Sequence, residues 1–185
     1  FPTWTTLENI TKDIILFPQL HKIAVRSETS WIYYDDTLSN PVAIRYPYAS
    51  DDVNKEMRFT NFEGIPDADG NILTTTNYST EMFLVDFKLR KMQPMSRYPH
   101  HAYADLANYK HFDQLSLDSS RNIWFHCYGK DSLYCLKPYG KTIAYFLPHP
   151  FNKVHWFGQI SFPHPNKMLW SYNRNGIAYL YELPY

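Results

Sequence analysis

The 185-residue chain carries 18 Lys+Arg against 18 Asp+Glu, so its formal charge is zero and its pI is near 7.2. It lacks the basic excess of a nucleic-acid binder or a polybasic membrane anchor, and 44% hydrophobic with 18% aromatic residues excludes a disordered chain. Two cysteines are too few for a disulfide scaffold, and the length suits one domain, or two small ones at most.

The chain starts at Phe1 with neither Met nor a signal-like stretch, as expected of a processed chain or a fragment. A short β-type run, Phe1-Pro2-Thr3-Trp4, comes first. The sequon Asn9-Ile10-Thr11 follows, and Asn77-Tyr78-Ser79 is a second; together they lean toward secretion without fixing a compartment. Ile14-Ile15-Leu16-Phe17 is the longest aliphatic or Phe run, far short of a membrane span.

From there a pattern repeats. Lys22 to Ser27, Asn71 to Thr76, Asn122 to Cys127 and Lys167 to Tyr172 are apolar-rich runs whose first residues, 22, 71, 122 and 167, are 49, 51 and 45 apart. Each is followed by a polar turn and a second run: Trp31 to Tyr34, Met82 to Val85, Leu133 to Leu136 and Ile177 to Leu180. Asp35, Asp86, Lys137 and Glu182 close these, and each pair reads as a hairpin. A third run precedes each hairpin: Ile14 to Phe17, Glu63 to Pro66, Gln114 to Leu117 and Gln159 to Phe162. Turn residues separate it from the hairpin, as in Asp67-Ala68-Asp69-Gly70, Asp118-Ser119-Ser120-Arg121 and Pro163-His164-Pro165-Asn166. A fourth run follows in the first three units: Val42 to Pro47, Met92 to Pro99 and Thr142 to Pro148. Its Pro suits an edge strand. Ser50 to Lys55 and Ala104 to Tyr109 read as single helical turns between units, and nothing supports a long helix.

Four antiparallel strands per unit make a propeller blade. The expected fold is therefore all-β, a small β-propeller of four four-stranded blades. The fourth unit stops at Tyr185 after three strands, and Phe1 to Trp4 is expected to supply the missing outer strand and close the ring. One domain spans residues 1–185, with blades at roughly 5–48, 49–99, 100–148 and 149–185 plus 1–4. The alternative is part of a larger propeller.

The stretch Asp118 to Phe125, then Tyr128-Gly129 and Lys137-Pro138-Tyr139-Gly140-Lys141, resembles one repeat of the streptogramin-lyase and NHL-type propellers. Those repeats run as Asp, a turn, Gly-Asn, a Trp-bearing strand and a Pro-x-Gly-Lys step. Gly70 keeps the Gly before Asn, whereas Arg121 and Asn166 depart from that pattern. The four units match the blade count of hemopexin-type domains, whose sequence pattern is absent here. The resemblance implies a blade and carries over no catalytic residue.

In a propeller the innermost strand of each blade lines the central channel, and ligands bind at its mouth. The innermost runs supply Glu63, Gln114 and Gln159 at matched positions, with Asp13 or Ile14 in the first unit. These polar groups read as a ligand site or as partners of one another and of channel water. His111 and His155 lie near strand ends, where they could orient a substrate. His126 reads as a satisfied histidine, and Cys127 with Cys135 as buried thiols or a cross-strand pair. No metal-binding or nucleotide-binding motif appears, so no cofactor is expected.

Sixteen Tyr, twelve Phe and five Trp are the strongest compositional signal. Most fill the wide gaps between blades. Tyr46, Tyr48, Tyr98, Tyr103, Tyr109, Tyr128, Tyr139, Phe151 and Trp156 fall in loops or strand ends, where rings stack on sugars.

The first functional expectation is a lectin-like module binding carbohydrate or another small molecule. Its ligand residues are Gln114, Gln159, Trp156, Tyr109 and Asp13. The second is an enzyme of lyase, cyclase or hydrolase type, with Glu63, His111 and His155 catalytic at the channel mouth. The third is a protein-interaction platform. Nucleic acid and membrane are not expected partners.

Overall fold

The apolar runs form strands where residues are described, except that the run expected from Met92 to Pro99 gives way after Pro94 to a 3-10 turn over Met95–Arg97. The structure is a computed structural model. It describes residues 14–27, 30–35, 39–45, 64–75, 81–127, 130, 132–146, 157–164, 167–174 and 177–184. Fifteen strands and no α-helix occur among them. The chain divides into two compact units, Phe1–Pro94 and Met95–Tyr185.

The first unit holds two four-stranded sheets. One runs β1 (Ile14–Phe17), β2 (Lys22–Arg26), β3 (Ser30–Asp35) and β4 (Val42–Arg45), and the other β5 (Ile65–Pro66), β6 (Ile72–Thr74), β7 (Phe83–Asp86) and β8 (Lys91–Pro94). The second unit continues with β9 (Phe112–Leu117), β10 (Ile123–Cys127), β11 (Ser132–Leu136) and β12 (Thr142–Phe146). Its other sheet has β13 (Phe157–His164), β14 (Lys167–Arg174) and β15 (Ile177–Pro184). Pairing is antiparallel between consecutive strands throughout. These are blade sheets, and the fold is all-β, a small β-propeller of four blades. The closing strand expected from Phe1 to Trp4 and the helical turn expected at Ser50 to Lys55 lie outside the described residues. The turn expected at Ala104 to Tyr109 is a 3-10 turn over Ala104–Asn108.

The repeat is written into backbone conformation. Between first and second strands, His21, Gly70 and Arg121 all take the left-handed region, with φ of 51, 83 and 63°. Glycine takes it freely, which explains the Gly-Asn step; His21 and Arg121 accept its strain. Asp67 and Asp118 then fasten their turns in the same way. The Asp67 carboxylate accepts the backbone N–H of Asp69 and of Asn71 (both 2.8 Å) and the Asn71 amide (3.1 Å). Asp118 accepts the backbone N–H of Ser120 (2.9 Å) and Asn122 (2.8 Å), the Asn122 amide (2.9 Å) and the Trp124 indole N–H (2.9 Å). That is the physical content of the Asp–turn–Asn–Trp motif: one buried carboxylate satisfies the turn and the strand's indole together. At the outer hairpins Asn40, Arg90 and Tyr139 are likewise left-handed, and Asp35 and Asp86 accept backbone N–H groups of Ser39 and Leu89 at 2.8 Å.

In the first unit the core lies between the sheets, where Phe17, Ala24, Trp31 and Ile44 meet Ile72, Phe83, Val85 and Met92. The Tyr33 ring stacks on Phe87, with centroids 4.0 Å apart and planes at 13°. Gly64 is required by close approach, because a Cβ there would sit 2.5 Å from Ile72 Cγ2 and 2.8 Å from the Trp31 ring. In the second unit Phe125 stacks on Tyr134 at 5.1 Å. Trp124 stacks on Tyr145 at 5.5 Å and lies 6.1 Å from Phe162 of the neighbouring sheet. Cys127 and Cys135 are free and buried. Register sets Cys135 opposite Trp124 and Cys127 opposite Phe112, so the cysteines are not cross-strand neighbours. Burial, together with the nearby Asp118 charge, pushes the Cys135 thiol up to about 11 against a smaller opposing effect of Lys137.

Candidate functional site

The candidate site begins at the innermost strands. Gln114 stands on β9 opposite His126 of β10. Gln159 stands on β13, in the irregular stretch between the paired positions Phe157 and Ile160. Both strands belong to the second unit, where they lie next to each other. His111 is exposed, immediately before β9, with a left-handed φ of 58°. Asp13, Glu63, His155 and Trp156 lie outside the described residues. In the first unit β1 opens with Ile14 paired to Val25.

Tyr109 is half-buried among rings: its centroid lies 5.0 Å from Phe125, edge-on at 76°, and 5.1 Å from Tyr134. Tyr103 is buried and donates its hydroxyl to the Arg121 carbonyl at 2.8 Å. Tyr98 is half-buried, and Tyr139 is 81% exposed. Among the described loop aromatics named from the sequence, Tyr139 alone therefore offers an open ring. Tyr46, Tyr48, Tyr128 and Phe151 lie outside the described residues.

A second set of polar residues lies buried on, or one residue past, the second strand of three of the sheets. Arg26 is 5% exposed, Thr75 3% and His126 0%. They are 49 and 51 residues apart, the spacing of the repeat itself. Each stands at the fifth position of its second-strand run, counted from Lys22, Asn71 and Asn122. Burying a guanidinium, a hydroxyl and an imidazole is costly unless each is hydrogen-bonded. The His126 ring Nε2 lies 2.8 Å from the Lys130 carbonyl, which ties it to the β10–β11 turn. Read singly, each looks like a polar strand end. The signal that finds them is the aligned column: three polar side chains at one position of otherwise apolar runs.

The linker before β9 forms a separate feature. Asp105 accepts the backbone N–H and hydroxyl of Thr142 at 2.8 and 2.7 Å, the Asn108 amide at 3.0 Å and the Lys141 ammonium at 3.2 Å. Burial raises the Asp105 pKa, but the bonds from Thr142 and Lys141 outweigh it, so the carboxyl sits below its ordinary value. Beside it lies an open groove of about 300 Å³, lined by Met95, Pro99, Ala104, Asp105, Asn108 and Lys141. Its polar groups already bond to one another, and its place is where linker meets outer strand.

No protein-family model matches the chain, and no curated protein matches it by sequence. Solved structures do match in fold. The virginiamycin B lyase of Staphylococcus aureus superposes with a TM-score of 0.55 at 13% identity, over 96% of this chain and 58% of the lyase. The structure of YCF48 bound to D1 peptide gives 0.51 at 13% identity, over 90% of this chain and 49% of that one. The extracellular domain of BT4673, a putative one-component system of B. thetaiotaomicron, gives 0.56 at 12% identity, over 92% and 21%. This chain thus spans a little over half the length of the lyase it resembles. At these identities the likeness is one of fold, and it agrees with the lyase-like repeat read around Trp124.

Proposed function

We propose that the protein is a ligand-binding propeller module whose site lies at the channel mouth, where the innermost strands end. The occupant is a small, hydroxyl-rich polar molecule, of which a saccharide is the leading class. The observation that carries this reading is the buried polar column Arg26, Thr75 and His126 behind the innermost strands. Buried polar side chains at the same position of three of the four repeats are a costly arrangement for packing alone. They suit a scaffold that fixes polar groups in front of them. Gln114 and Gln159 are the ligand-contacting residues of this reading, because a carboxamide both donates to and accepts from a hydroxyl. With most described loop aromatics engaged in packing, peripheral stacking sites recede and the channel mouth takes precedence.

The test is a thermal-shift screen with saccharides and hydroxylated metabolites. A ligand at about 100 times its Kd adds roughly 2.7 kcal/mol, on the order of 5–10 °C for a chain of this size. The expected result is a saccharide shift that Gln114→Ala and Gln159→Ala each abolish. A screen without any shift, or a shift that survives both substitutions, overturns the channel-mouth site. Turnover of the stabilising ligand, lost in Glu63→Gln, would replace the binding reading with the enzymatic one.

A further inference from the structure

The innermost strands of the second unit repeat one sequence. Phe112-Asp113-Gln114-Leu115-Ser116-Leu117 of β9 aligns with Phe157-Gly158-Gln159-Ile160-Ser161-Phe162 of β13. Both strands bulge at the same step. On β9, Gln114 pairs with His126 and Phe112 with Cys127, so Asp113 is an extra residue in the ladder. On β13, Phe157 pairs with Tyr172 and Ile160 with Trp170, so the extra residue falls within Gly158-Gln159. A bulge re-aims the residues beside it. His126 and Cys127 are successive residues and belong to opposite faces of the sheet. The bulge therefore assigns Phe112 to one face, where it is buried with its ring centroid 5.4 Å from that of Phe125, and Gln114 to the other. Without it, residues two apart would share a face. None of this needs a side chain at the extra position, because β13 holds Gly158 at the aligned step. The carboxylate of Asp113 is surplus to the fold. The chain enters the step through exposed His111 at a left-handed φ of 58°, a conformation that concentrates at functional sites.

We propose that Asp113 is a further ligand-contacting residue of the channel mouth and sets its charge preference, favouring an amino saccharide and rejecting a saccharide acid. The inference rests on the channel-mouth reading of Gln114 and Gln159 and deepens it. The two glutamines are neutral, and each carboxamide both donates and accepts. An ionised carboxylate only accepts, so with it the site asks its ligand for donors. A pair of hydroxyls meets that demand. An ammonium meets it with charge-assisted bonds, roughly twice as strong as neutral ones. A carboxylate on the ligand faces Asp113 as a like charge, a repulsion that discriminates against the wrong partner. The neighbouring strand β13 adds no second charge at the aligned step, where Gly158 stands, so one carboxylate decides the preference. The chain's formal charge is zero, so no net field of the whole protein competes with it.

The experiment is calorimetric titration of the full chain at fixed ionic strength and about pH 6, where an ordinary carboxylate is ionised and an amine protonated. The probes are glucose, galactose and mannose, the 2-amino form of each and the uronic acid of each. Within a series that binds, the amine is expected to bind about tenfold tighter than the neutral sugar and the acid about tenfold weaker. Asp113→Asn is expected to bring the three forms to within about threefold of one another, with the amine losing most. If Asp113→Asn does not fold, Asp113→Gly decides, since β13 already carries glycine at that step. Equal binding of the three forms, or a ranking that Asp113→Asn leaves unchanged, overturns the role of Asp113; where Gln114→Ala still abolishes that binding, the channel-mouth reading survives. Binding that persists in both Gln114→Ala and Gln159→Ala overturns the two together. Binding by none of the probes overturns the charge preference, and the wider saccharide screen then decides the channel mouth by itself.

Discussion

The first two sheets share a strand order and a left-handed residue at the turn after the first strand, yet they bury different things. In the β5–β8 sheet all of Ile72 to Thr74 and all of Phe83 to Asp86 are buried, so both faces are covered. In the β1–β4 sheet one face is core and the other carries Ile14 and Leu16 into water. Local sequence makes the blade: an apolar run, a turn that accepts a positive φ, a hairpin, an edge strand. Stability comes from what the neighbours cover, and the same motif serves in a two-sided or a one-sided setting.

The largest expected consequence falls on the two-sided sheet. Phe83 is fully buried within the core cluster, and Phe83→Ala leaves a cavity there. The expected cost is about 3–5 kcal/mol, read from the shift in urea or thermal midpoint. A cost under about 1 kcal/mol would mean that β7 is not covered on both faces, and the contrast between the sheets would collapse.

Much of this contrast was legible in the sequence, and its limits are physical. Ile14 to Phe17 was readable as β1 because an apolar run bounded by Asp13 and Pro18 leaves little freedom in its ends. The three strands of the last sheet were readable as well, but not their ends: β13, β14 and β15 each reach eight residues, longer than their apolar runs. Ladder pairing carries Arg174 opposite Ile177 and Lys167 opposite Pro184, and backbone hydrogen bonds leave no mark in hydropathy. Of the site, the inner-strand column through Gln114 and Gln159 could be aligned. The column behind it shows in the sequence only as an alignment of unlike polar residues, because Arg26, Thr75 and His126 differ in type, and it is their burial that marks them as a set. The loop tyrosines show the reverse limit. Composition cannot separate a ring offered to a sugar from one that, like Tyr103, closes on a backbone carbonyl.

The turns sharpen the comparison at intermediate size. In the second sheet Asp67 accepts three hydrogen bonds across its turn. In the first, the corresponding segment Pro18–Leu20 is a 3-10 turn without a side-chain cap, closed by the His21 N–H on the Pro18 carbonyl at 3.3 Å. Asp67→Ala leaves buried turn donors without their acceptor and is expected to cost about 1–3 kcal/mol. Gln19→Ala, at an exposed position of the first turn, is expected to stay within about 0.5 kcal/mol. Equal costs, measured by parallel urea titrations, would show that the carboxylate does not fasten the turn.

The smallest expected effect is the most discriminating. Leu16 is a large aliphatic side chain on a strand, a position where truncation ordinarily costs several kcal/mol when the residue is core. Here it is 62% exposed, so in dilute solution Leu16→Ala is expected to change unfolding free energy by no more than about 0.5 kcal/mol. A large cost already present in dilute solution would mean that Leu16 is covered within the single chain. The first sheet would then be two-sided like the second.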